Sequence, residues 1–354
     1  MIQSPPVSGS LRTPEQVRVG VVGAGFVAQV VHLAHLADSD GRFRAAALAE
    51  PDARVRTAVA ERHGIPAAYA TGTEMLASAE LDAVLVCSPN ATHADAVVEA
   101  LEAGCHVLVE KPLCLSLEDA DRVIAARDRT GLVVQVAYMK RFDPAYEALV
   151  ADLEPGGEEL THIATVTIDP GLAEHFGPFV VPPAAPGRAD RLLSEGFMGA
   201  LVHDVNAVHG ILEALAIPFG EALVVDGFGR PEATLAGGTA VLPSGLRWSM
   251  AWARLPEAGT FEERIELLGS HGVRRLGFPA PYLRQSPTAY TWLRRDGGGC
   301  VQRTFRSWRE AYERQLAHFH ACVVHGTPCR TPPEQARADI ALLAALHDAT
   351  LVPA

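Results

Sequence analysis

Short apolar runs alternate with helical segments along the first 140 residues of the chain. The helical segments have one-sided apolar spacing and end at glycines such as Gly64, Gly104 and Gly131. The apolar runs have the length of buried strands and lie at Val17–Val22, Phe43–Ala49, 81–87, 105–109 and 132–138. Strands that alternate with helices predict a parallel, doubly wound sheet, so the expected fold class is α/β.

The pattern changes after residue 141. Strand-like runs follow one another at 161–168, 222–227, 240–242, 247–254 and 264–268, and helical segments lie at 197–215, 308–324 and 333–350. This order predicts an α+β domain with a mixed, mostly antiparallel open sheet. We therefore expect a flexible tail (1–14), a doubly wound domain (15–141) and an α+β domain (142–354). The connection 169–191 is either a substrate loop or a surface excursion.

The first predicted strand runs into a glycine-rich turn, GAGFVA, at residues 23–28. Gly23 permits the tight turn, Gly25 lets the backbone approach a pyrophosphate, and Ala28 lets the next helix pack against the strand. Phe26 and Val27 complete the motif at the start of that helix, whose N–H groups attract phosphates. The motif predicts a Rossmann domain that binds a dinucleotide.

Glu50 ends the second predicted strand, about twenty residues beyond the turn, where this fingerprint expects an acidic group. A carboxylate there accepts from the ribose 2′-OH and repels a 2′-phosphate, which favours NAD. Arg54 and Arg56 lie close behind and keep NADP possible. The alternative is that Glu50 is a solvated strand end before Pro51.

Glu110, Lys111 and Pro112 directly follow the fourth apolar run. A strand of a parallel sheet delivers such residues to the edge where these folds bind ligands. An ammonium group there stabilises the negative charge that builds on an alcohol oxygen as hydride leaves. The alternative is a solvated surface lysine.

Composition limits the partners. Two domains suit 354 residues, and 42 acidic against 30 basic residues give a net charge of −12 without a basic stripe. Nucleic acid is therefore not expected. We expect no membrane segment, because no apolar run is long enough, and a cytoplasmic protein. Six scattered cysteines and the isolated pair His32 and His35 predict no metal site.

These motifs resemble the Gfo/Idh/MocA oxidoreductases, named after glucose-fructose oxidoreductase, inositol dehydrogenase and rhizopine catabolism. The resemblance covers nearly the whole chain and is carried by GAGFVA, LDAVLVCSPNATH (81–93), EALEAGCHVLVEKPL (99–113), YMKRFDP (138–144) and IELLGSHG (265–272). It implies that Lys111 is catalytic, with Glu110 beside it. It also implies that Ser88, Pro89, Asn90 and His93 lie beside the nicotinamide. From the residues alone, 88–90 also suits a helix cap, and His93 suits a structural role.

The resemblance also implies an aspartate four residues before a histidine on a C-terminal helix. His203 matches the histidine, but Gly199 occupies the aspartate position. His203 stays our candidate general acid/base, with a packed or capping histidine as the alternative. Glu195, Asp204 and Asn206 are neighbours that could orient it or bind substrate.

Trp248, Met250 and Trp252 alternate on a predicted strand and form an apolar face. Such a face usually fills a sheet core or a subunit interface, although aromatic side chains also stack on sugars. The resemblance implies a homodimer or homotetramer that forms through the C-terminal sheet.

The sequence thus predicts an NAD(P)-dependent dehydrogenase that moves hydride between nicotinamide and a carbinol or carbonyl carbon of a sugar, cyclitol or related polyhydroxylated substrate. Because the aspartate is absent, reduction of an imine or a conjugated double bond is an alternative. A non-catalytic NAD-binding subunit is the third hypothesis.

Overall fold

The computed structural model describes residues 16–156, 159–171, 177, 180–182 and 191–351. The predicted tail 1–14 and most of the connection 169–191 lie outside these residues. Within the described part of the chain, no helix combines the length and the apolar character that crossing a bilayer requires. The domain limits stay predictions.

Six parallel strands form the N-terminal sheet in the order β3-β2-β1-β4-β5-β6. The strands are β1 (Val17–Val22), β2 (Phe43–Ala49), β3 (Ala67–Tyr69), β4 (Ala83–Val86), β5 (His106–Val109) and β6 (Val134–Val136). Most apolar residues of β1, β4, β5 and β6 are buried, as parallel strands between helical layers require, whereas the edge strand β3 is only partly covered. The strand order reverses between β1 and β4, and in such sheets ligands bind beyond the carboxyl ends of the strands at that point.

Helices connect successive parallel strands. They are α1 (Leu33–Ala37), α2 (Ala53–His63), α3 (Gly72–Ser78), α4 (His93–Glu102) and α5 (Leu117–Thr130). The next helix, α6 (Pro144–Ala151), follows the last parallel strand and contacts the C-terminal sheet. A π-helical turn, Ala28–His32, precedes α1, and 3-10 turns lie at Asn90–Thr92 and Met139–Phe142. Local sequence explains the boundaries of α2, because the Asp52 carboxylate accepts from two N–H groups of its first turn and Gly64 ends it with φ +62°.

Eight strands form the C-terminal sheet in the order β14-β13-β12-β11-β7-β10-β9-β8. They are β7 (Leu160–Asp169), β8 (Leu223–Gly229), β9 (Leu235–Val241), β10 (Arg247–Arg254), β11 (Glu262–Gly269), β12 (Gly272–Phe278), β13 (Ala289–Asp296) and β14 (Gly299–Arg306). Only β7 and β10 pair in parallel, so the sheet is mixed and mostly antiparallel, as predicted.

Helices cover one face of this second sheet. They are the π-helical segment Leu192–Leu201, α7 (Val202–Ala214) and α9 (Pro333–Thr350), while α8 (Ala311–His325) packs near α1. Trp248, Met250 and Trp252 point toward these helices and are at most 6% exposed. The tryptophan stripe is therefore sheet core rather than a sugar platform.

The sequence patterns missed six helices and strands of the described chain. These are β3, α3, α6 and the last three strands, β12 to β14. The first helix also differs from a regular α-helix, since it starts as a π-helical turn. The α/β fold class is confirmed.

Candidate active site

The glycine turn after β1 packs tightly against the end of β4. Gly23 has φ +89°, and a Cβ at this position would lie 2.6 Å from the backbone nitrogen of Ser88. A Cβ on Gly25 would meet nothing within 4 Å. Gly23 is therefore required by the fold, whereas Gly25 leaves open space beside the backbone that a pyrophosphate can occupy. Phe26, the next residue, packs edge-on against Tyr282 at 4.9 Å between ring centroids.

Glu50 is buried, not a solvated strand end. Its carboxylate accepts hydrogen bonds from the N–H groups of Ala24, at 2.9 Å, and Asp52, at 3.0 Å. The carboxylate thus braces the glycine turn and still has lone pairs for a ribose hydroxyl. Arg56 donates to the Glu50 carbonyl oxygen, and Arg54 donates to the carbonyl of Pro182 at 2.8 Å.

No sequence pattern marks Gln29, yet its side chain bonds to residues on both sides of it: the glycine turn and the segment after residue 180. Its amide oxygen accepts from the N–H of Val181 at 3.0 Å, and its amide nitrogen donates to the Val181 carbonyl at 3.0 Å. The same nitrogen donates to the Ala24 carbonyl at 2.6 Å. Residues 180–182 therefore lie against the start of the first helix.

The loop after β4 carries Ser88, Pro89, Asn90 and His93. Neither Asn90–Thr92 nor α4 has a side-chain cap, so the capping alternative is not observed. The His93 ring is 1% exposed, with Nδ1 2.7 Å from the Pro112 carbonyl and Nε2 2.8 Å from the Ser88 carbonyl. Burial lowers the pKa of His93, and a neutral ring can donate to only one of these oxygens at a time. The ring joins the loop after β4 to the segment after β5.

Glu110 fixes the segment that follows β5. Its carboxylate lies 2.6 Å from Nε2 of His32 and accepts from the Lys111 N–H at 3.1 Å. Burial acts to raise the pKa of Glu110, but the hydrogen bond from His32 and the charges of His32 and Lys111 outweigh it, so the pKa lies below its usual value. The segment is thus anchored to the first helix by an ionised carboxylate.

Lys111 reaches from β5 toward the C-terminal helices. Its Nζ donates to the Gly199 carbonyl oxygen at 2.6 Å, and the Lys111–Pro112 peptide bond is cis. Burial lowers the pKa of Lys111, which the charge of Glu110 opposes. The side chain is not a solvated surface lysine, and it meets the very residue that occupies the expected aspartate position.

His203 lies in the first turn of α7. Its Nδ1 is buried and has no hydrogen-bond partner among the described residues. Burial, followed by the positive charges of Lys111 and Lys140, holds the pKa of His203 well below its usual value. Lys111 bonds to the carbonyl of Gly199, four residues before His203, so the two candidate catalytic residues belong to contacting segments.

Lys140 was quoted in a sequence motif but not recognised as part of the site. Its Nζ lies 3.1 Å from Oδ1 of Asp204 and forms a second ion pair with Glu263 of β11. Thr167 of β7 donates to the other Asp204 oxygen at 3.0 Å. The four side chains are at most 7% exposed. No local pattern signals this cluster, because its members come from four separate elements.

Two of the proposed neighbours of His203 are engaged elsewhere. Glu195 pairs with Arg191 one turn earlier, and the Asn206 amide donates to Asp339 at 2.7 Å. Asp204 joins the site, but through Lys140. Among the described residues, no group of three or more potential ligands could hold a metal ion.

A cavity of about 80 Å³ lies between the first helix and the C-terminal sheet. Apolar and aromatic residues dominate its wall, and Lys140 and Glu263 border it. Neither Lys111 nor His203 lines this cavity, so it is separate from the two candidate catalytic residues.

Known proteins resemble this chain in sequence and fold. A family model described as an oxidoreductase family with an NAD-binding Rossmann fold, GFO/IDH/MocA, matches residues 17–138. Myo-inositol 2-dehydrogenase of Thermotoga maritima is 27% identical over 320 residues, 88% of this chain and 90% of that protein. Relatives that are 37% identical match over 142 residues, 40% of this chain and 41–42% of their own length.

Two solved structures share the fold across both halves. The scyllo-inositol dehydrogenase of Lactobacillus casei, with bound NAD(H) and scyllo-inositol, superposes with a TM-score of 0.71 at 18% identity, covering 94% of this chain and 96% of that chain. KijD10, a 3-ketoreductase from Actinomadura kijaniata in complex with NADP, superposes with a TM-score of 0.77 at 20% identity, covering 94% of this chain and 98% of that chain. At these identities the likeness shows the fold alone.

Proposed function

The chain belongs to the Gfo/Idh/MocA family of oxidoreductases, and from this premise we propose that it is an NAD(P)-dependent dehydrogenase acting on a polyhydroxylated substrate. The substrate class is a sugar, a cyclitol or a related polyol. Hydride passes between the nicotinamide and the carbon that bears the reacting hydroxyl or carbonyl oxygen. Related proteins named for inositol oxidation support this class without fixing the substrate.

The residues around the sheet edge fit a dinucleotide. Gly25 offers the open space that a pyrophosphate needs, and a Cβ there would fill part of it. Glu50, braced by two backbone N–H groups, is oriented toward the same turn and supports a preference for NAD over NADP. Ser88, Pro89 and Asn90 would border the nicotinamide ribose, while His93 and Glu110 would hold the loops in place.

Lys111 and His203 have different roles at the substrate oxygen. An ammonium has three donors, and Gly199 uses one of them, so others remain for the substrate. Lys111 stabilises the negative charge that develops on this oxygen during oxidation. His203 takes the hydroxyl proton, and we assign the exchange to Nε2 because Nδ1 is buried without a partner. When bound, the nicotinamide accepts the hydride in oxidation and returns it in reduction.

A single observation carries this proposal. Lys111 extends from the edge of the nucleotide-binding sheet and hydrogen-bonds at 2.6 Å to the helical segment that leads into His203. An ammonium held between the two halves lies where a cofactor ring from one side and a substrate from the other can meet.

The direct test is a substrate screen with the purified protein. Inositols, aldoses, sugar acids and keto-sugars are offered with NAD or NADP, and absorbance of the reduced nicotinamide is followed. We expect steady turnover with at least one polyol and higher catalytic efficiency with NAD. Cofactor binding without turnover on any polyol or ketone would reject the proposal and leave the non-catalytic subunit as the better hypothesis.

Gly199 favours a second candidate activity, the reduction of an imine or a conjugated double bond. Lys111 meets a neutral carbonyl there instead of the carboxylate that alcohol-oxidising relatives are expected to carry. The two activities separate in one experiment with a substrate deuterated at the carbinol carbon. Transfer of that deuterium to the oxidised cofactor supports alcohol oxidation and excludes the second candidate as the sole activity.

The outer face of the C-terminal sheet supports a homodimer or homotetramer. Its central strands carry small and apolar residues outward, including Ala164, Val166 and Ala251, all partly exposed. Exposed Leu223 and Phe228 extend this surface on β8. Light scattering at several concentrations measures the mass directly, and a monomer throughout would contradict this assignment.

A further inference from the structure

The connection between β12 and β13 crosses from the C-terminal sheet to the glycine turn. Residues 279–288, which we call the strap, form this connection. Tyr282 of the strap packs edge-on against Phe26, with 4.9 Å between the ring centroids. Phe26 directly follows Gly25, the position with open space for a pyrophosphate. A side chain of the C-terminal half therefore lies beside the turn that is proposed to hold the cofactor phosphates.

Charged groups join the strap to the first helix. Arg284 of the strap pairs with Asp38, at the end of α1, at 2.9 Å, and its Nε donates to the Glu310 carboxylate at 3.3 Å. Glu310 directly precedes α8, and it also accepts from the Gln285 N–H at 3.1 Å. The same carboxylate lies 2.9 Å from Nε2 of His35 on α1. One carboxylate thus connects the strap, α8 and the first helix.

These contacts hold the strap only weakly. The side chains of Arg284 and Asp38 are 52% and 59% exposed, and water screens an ion pair in such a position. Gln285 has φ +58°, a left-handed conformation that is strained for a residue other than glycine. The cavity of about 80 Å³ is lined by residues of both the strap and the first helix. Because part of the space beneath the strap is empty, packing adds little to the closed arrangement.

We propose that the strap is a gate for the nicotinamide cofactor, in which Tyr282 covers the glycine turn while Arg284 and Glu310 keep the gate closed. The cofactor enters and leaves when the strap moves away from the first helix. Arg284 and Glu310 act through the strap, so they are positioning residues. The inference rests on the proposed function for the place of the cofactor, but it does not depend on the substrate.

A gate has a kinetic signature that a simple binding contact lacks. The contacts between the strap and the first helix involve only protein groups, so they exist with or without the cofactor. Weakening them raises the population of the open form in both states. The association and dissociation rates should then rise by the same factor, and Kd should stay nearly constant. Losing a direct contact with the cofactor would mainly raise the dissociation rate.

Stopped-flow fluorescence of NADH measures both rates without any substrate. Association is followed on mixing NADH with the protein, and dissociation is followed on displacing NADH with excess NAD. In Arg284→Met we expect both rates to rise about threefold to fivefold, the effect of losing one exposed ion pair. In Tyr282→Ala the association rate should rise about tenfold, because the ring that covers the turn and its contact with Phe26 are both removed.

Arg309→Met is a matched control. Arg309 is 66% exposed and pairs with Glu313 at 3.6 Å, so its ion pair stays within the C-terminal half. Both rates should equal those of the unsubstituted protein. Arg284→Lys keeps the positive charge, and its rates should be closer to those of the unsubstituted protein than the rates of Arg284→Met are.

The outcomes separate the gate from the proposed function. Unchanged rates in Arg284→Met would overturn the gate, and so would a rise in the dissociation rate alone with a matching loss of affinity. A protein that shows the expected rates but turns over no polyol would reject the dehydrogenase assignment and leave the gate standing. A protein that binds neither NADH nor NADPH would reject the cofactor site and the gate together.

Discussion

The residues proposed to hold the cofactor and those proposed to meet the substrate differ in how their polar groups are hydrogen-bonded. On the cofactor side, Glu50 and His93 bind backbone groups, and Glu110 binds both His32 and the Lys111 N–H. On the substrate side, the Lys111 ammonium donates to the Gly199 carbonyl and keeps further donors for a substrate oxygen. The cofactor side is thus held in shape by the protein itself, whereas the substrate side keeps unused hydrogen-bonding capacity.

This difference indicates that the two sets of residues have different roles. A buried group whose hydrogen bonds are complete rarely exchanges its partners, because leaving it unsatisfied costs about 1–3 kcal/mol. Groups with capacity left can bind a substrate that arrives later. Substitutions on the substrate side should therefore reduce turnover, and substitutions on the cofactor side should reduce stability or cofactor affinity.

Lys111→Met gives the largest expected effect. It removes the charge that stabilises the substrate oxygen, and we expect a loss in kcat of about 10²–10³-fold. Cofactor affinity, measured by fluorescence titration on the same preparation, should change little. Near-normal turnover in Lys111→Met would show that Lys111 is not part of the mechanism, and it would contradict the difference drawn between the two sets of residues.

His203→Asn should cost about a hundredfold in kcat, the lower part of the range for general acid/base groups. Because the pKa of His203 is depressed, the neutral ring persists to lower pH than a free histidine allows. The rate of oxidation should therefore stay nearly constant as the pH falls to 6.5, and it should decrease only at lower pH. If the rate decreases already above pH 6.5, and the same decrease is seen in His203→Asn, the proton transfer belongs to another group.

Gly23→Ala and Gly25→Ala form a matched pair on the cofactor side. The first introduces a positive-φ alanine whose Cβ lies 2.6 Å from Ser88 N, and we expect about 1–3 kcal/mol less unfolding free energy. The second meets nothing within 4 Å, so stability should be kept while cofactor affinity falls. Urea unfolding and cofactor titration measure both. Equal stability losses would contradict the assignment of open space to Gly25.

Glu50→Gln should have the smallest effect on the site. It removes the charge that would repel a 2′-phosphate, and we expect the ratio of kcat/KM for NAD over NADP to fall about tenfold, which corresponds to about 1.4 kcal/mol. Ala24 and Asp52 donate to different oxygens of Glu50, so the amide oxygen of glutamine can keep one of these hydrogen bonds while the other N–H faces the amide nitrogen. We therefore expect a stability loss of about 1–3 kcal/mol beside the change in cofactor preference. An unchanged ratio would mean that Glu50 only braces the glycine turn.

The sequence was informative where local pattern and local structure coincide. The bounds of β1, β2, β10 and α9 agree with their apolar patterns, because each buries a regular face. The last strands escaped detection for physical reasons. In β12 the buried Arg274 stacks on Trp292 at 4.4 Å and interrupts the alternation. All of β14 is exposed, so it carries no burial signal.

The same limit applies to the candidate site. Glycine spacing and the residues after β5 pointed to the turn and to Lys111, since both follow directly from one strand end. The pairing of Lys140 with Asp204 and Glu263 joins separate elements, and only the packed fold brings them together. The sequence recorded the absence of an aspartate at position 199, but not that the Gly199 carbonyl receives Lys111 instead.

A crystal structure with bound nicotinamide cofactor and a turned-over polyol tests the central claim most directly. The quantity to measure is the distance from Lys111 Nζ to the substrate oxygen on the carbon nearest the nicotinamide C4. The account predicts a hydrogen bond of about 2.6–3.2 Å, with His203 within reach of the same oxygen. A substrate bound beyond hydrogen-bond reach of Lys111, with its reacting carbon still at C4, would contradict it.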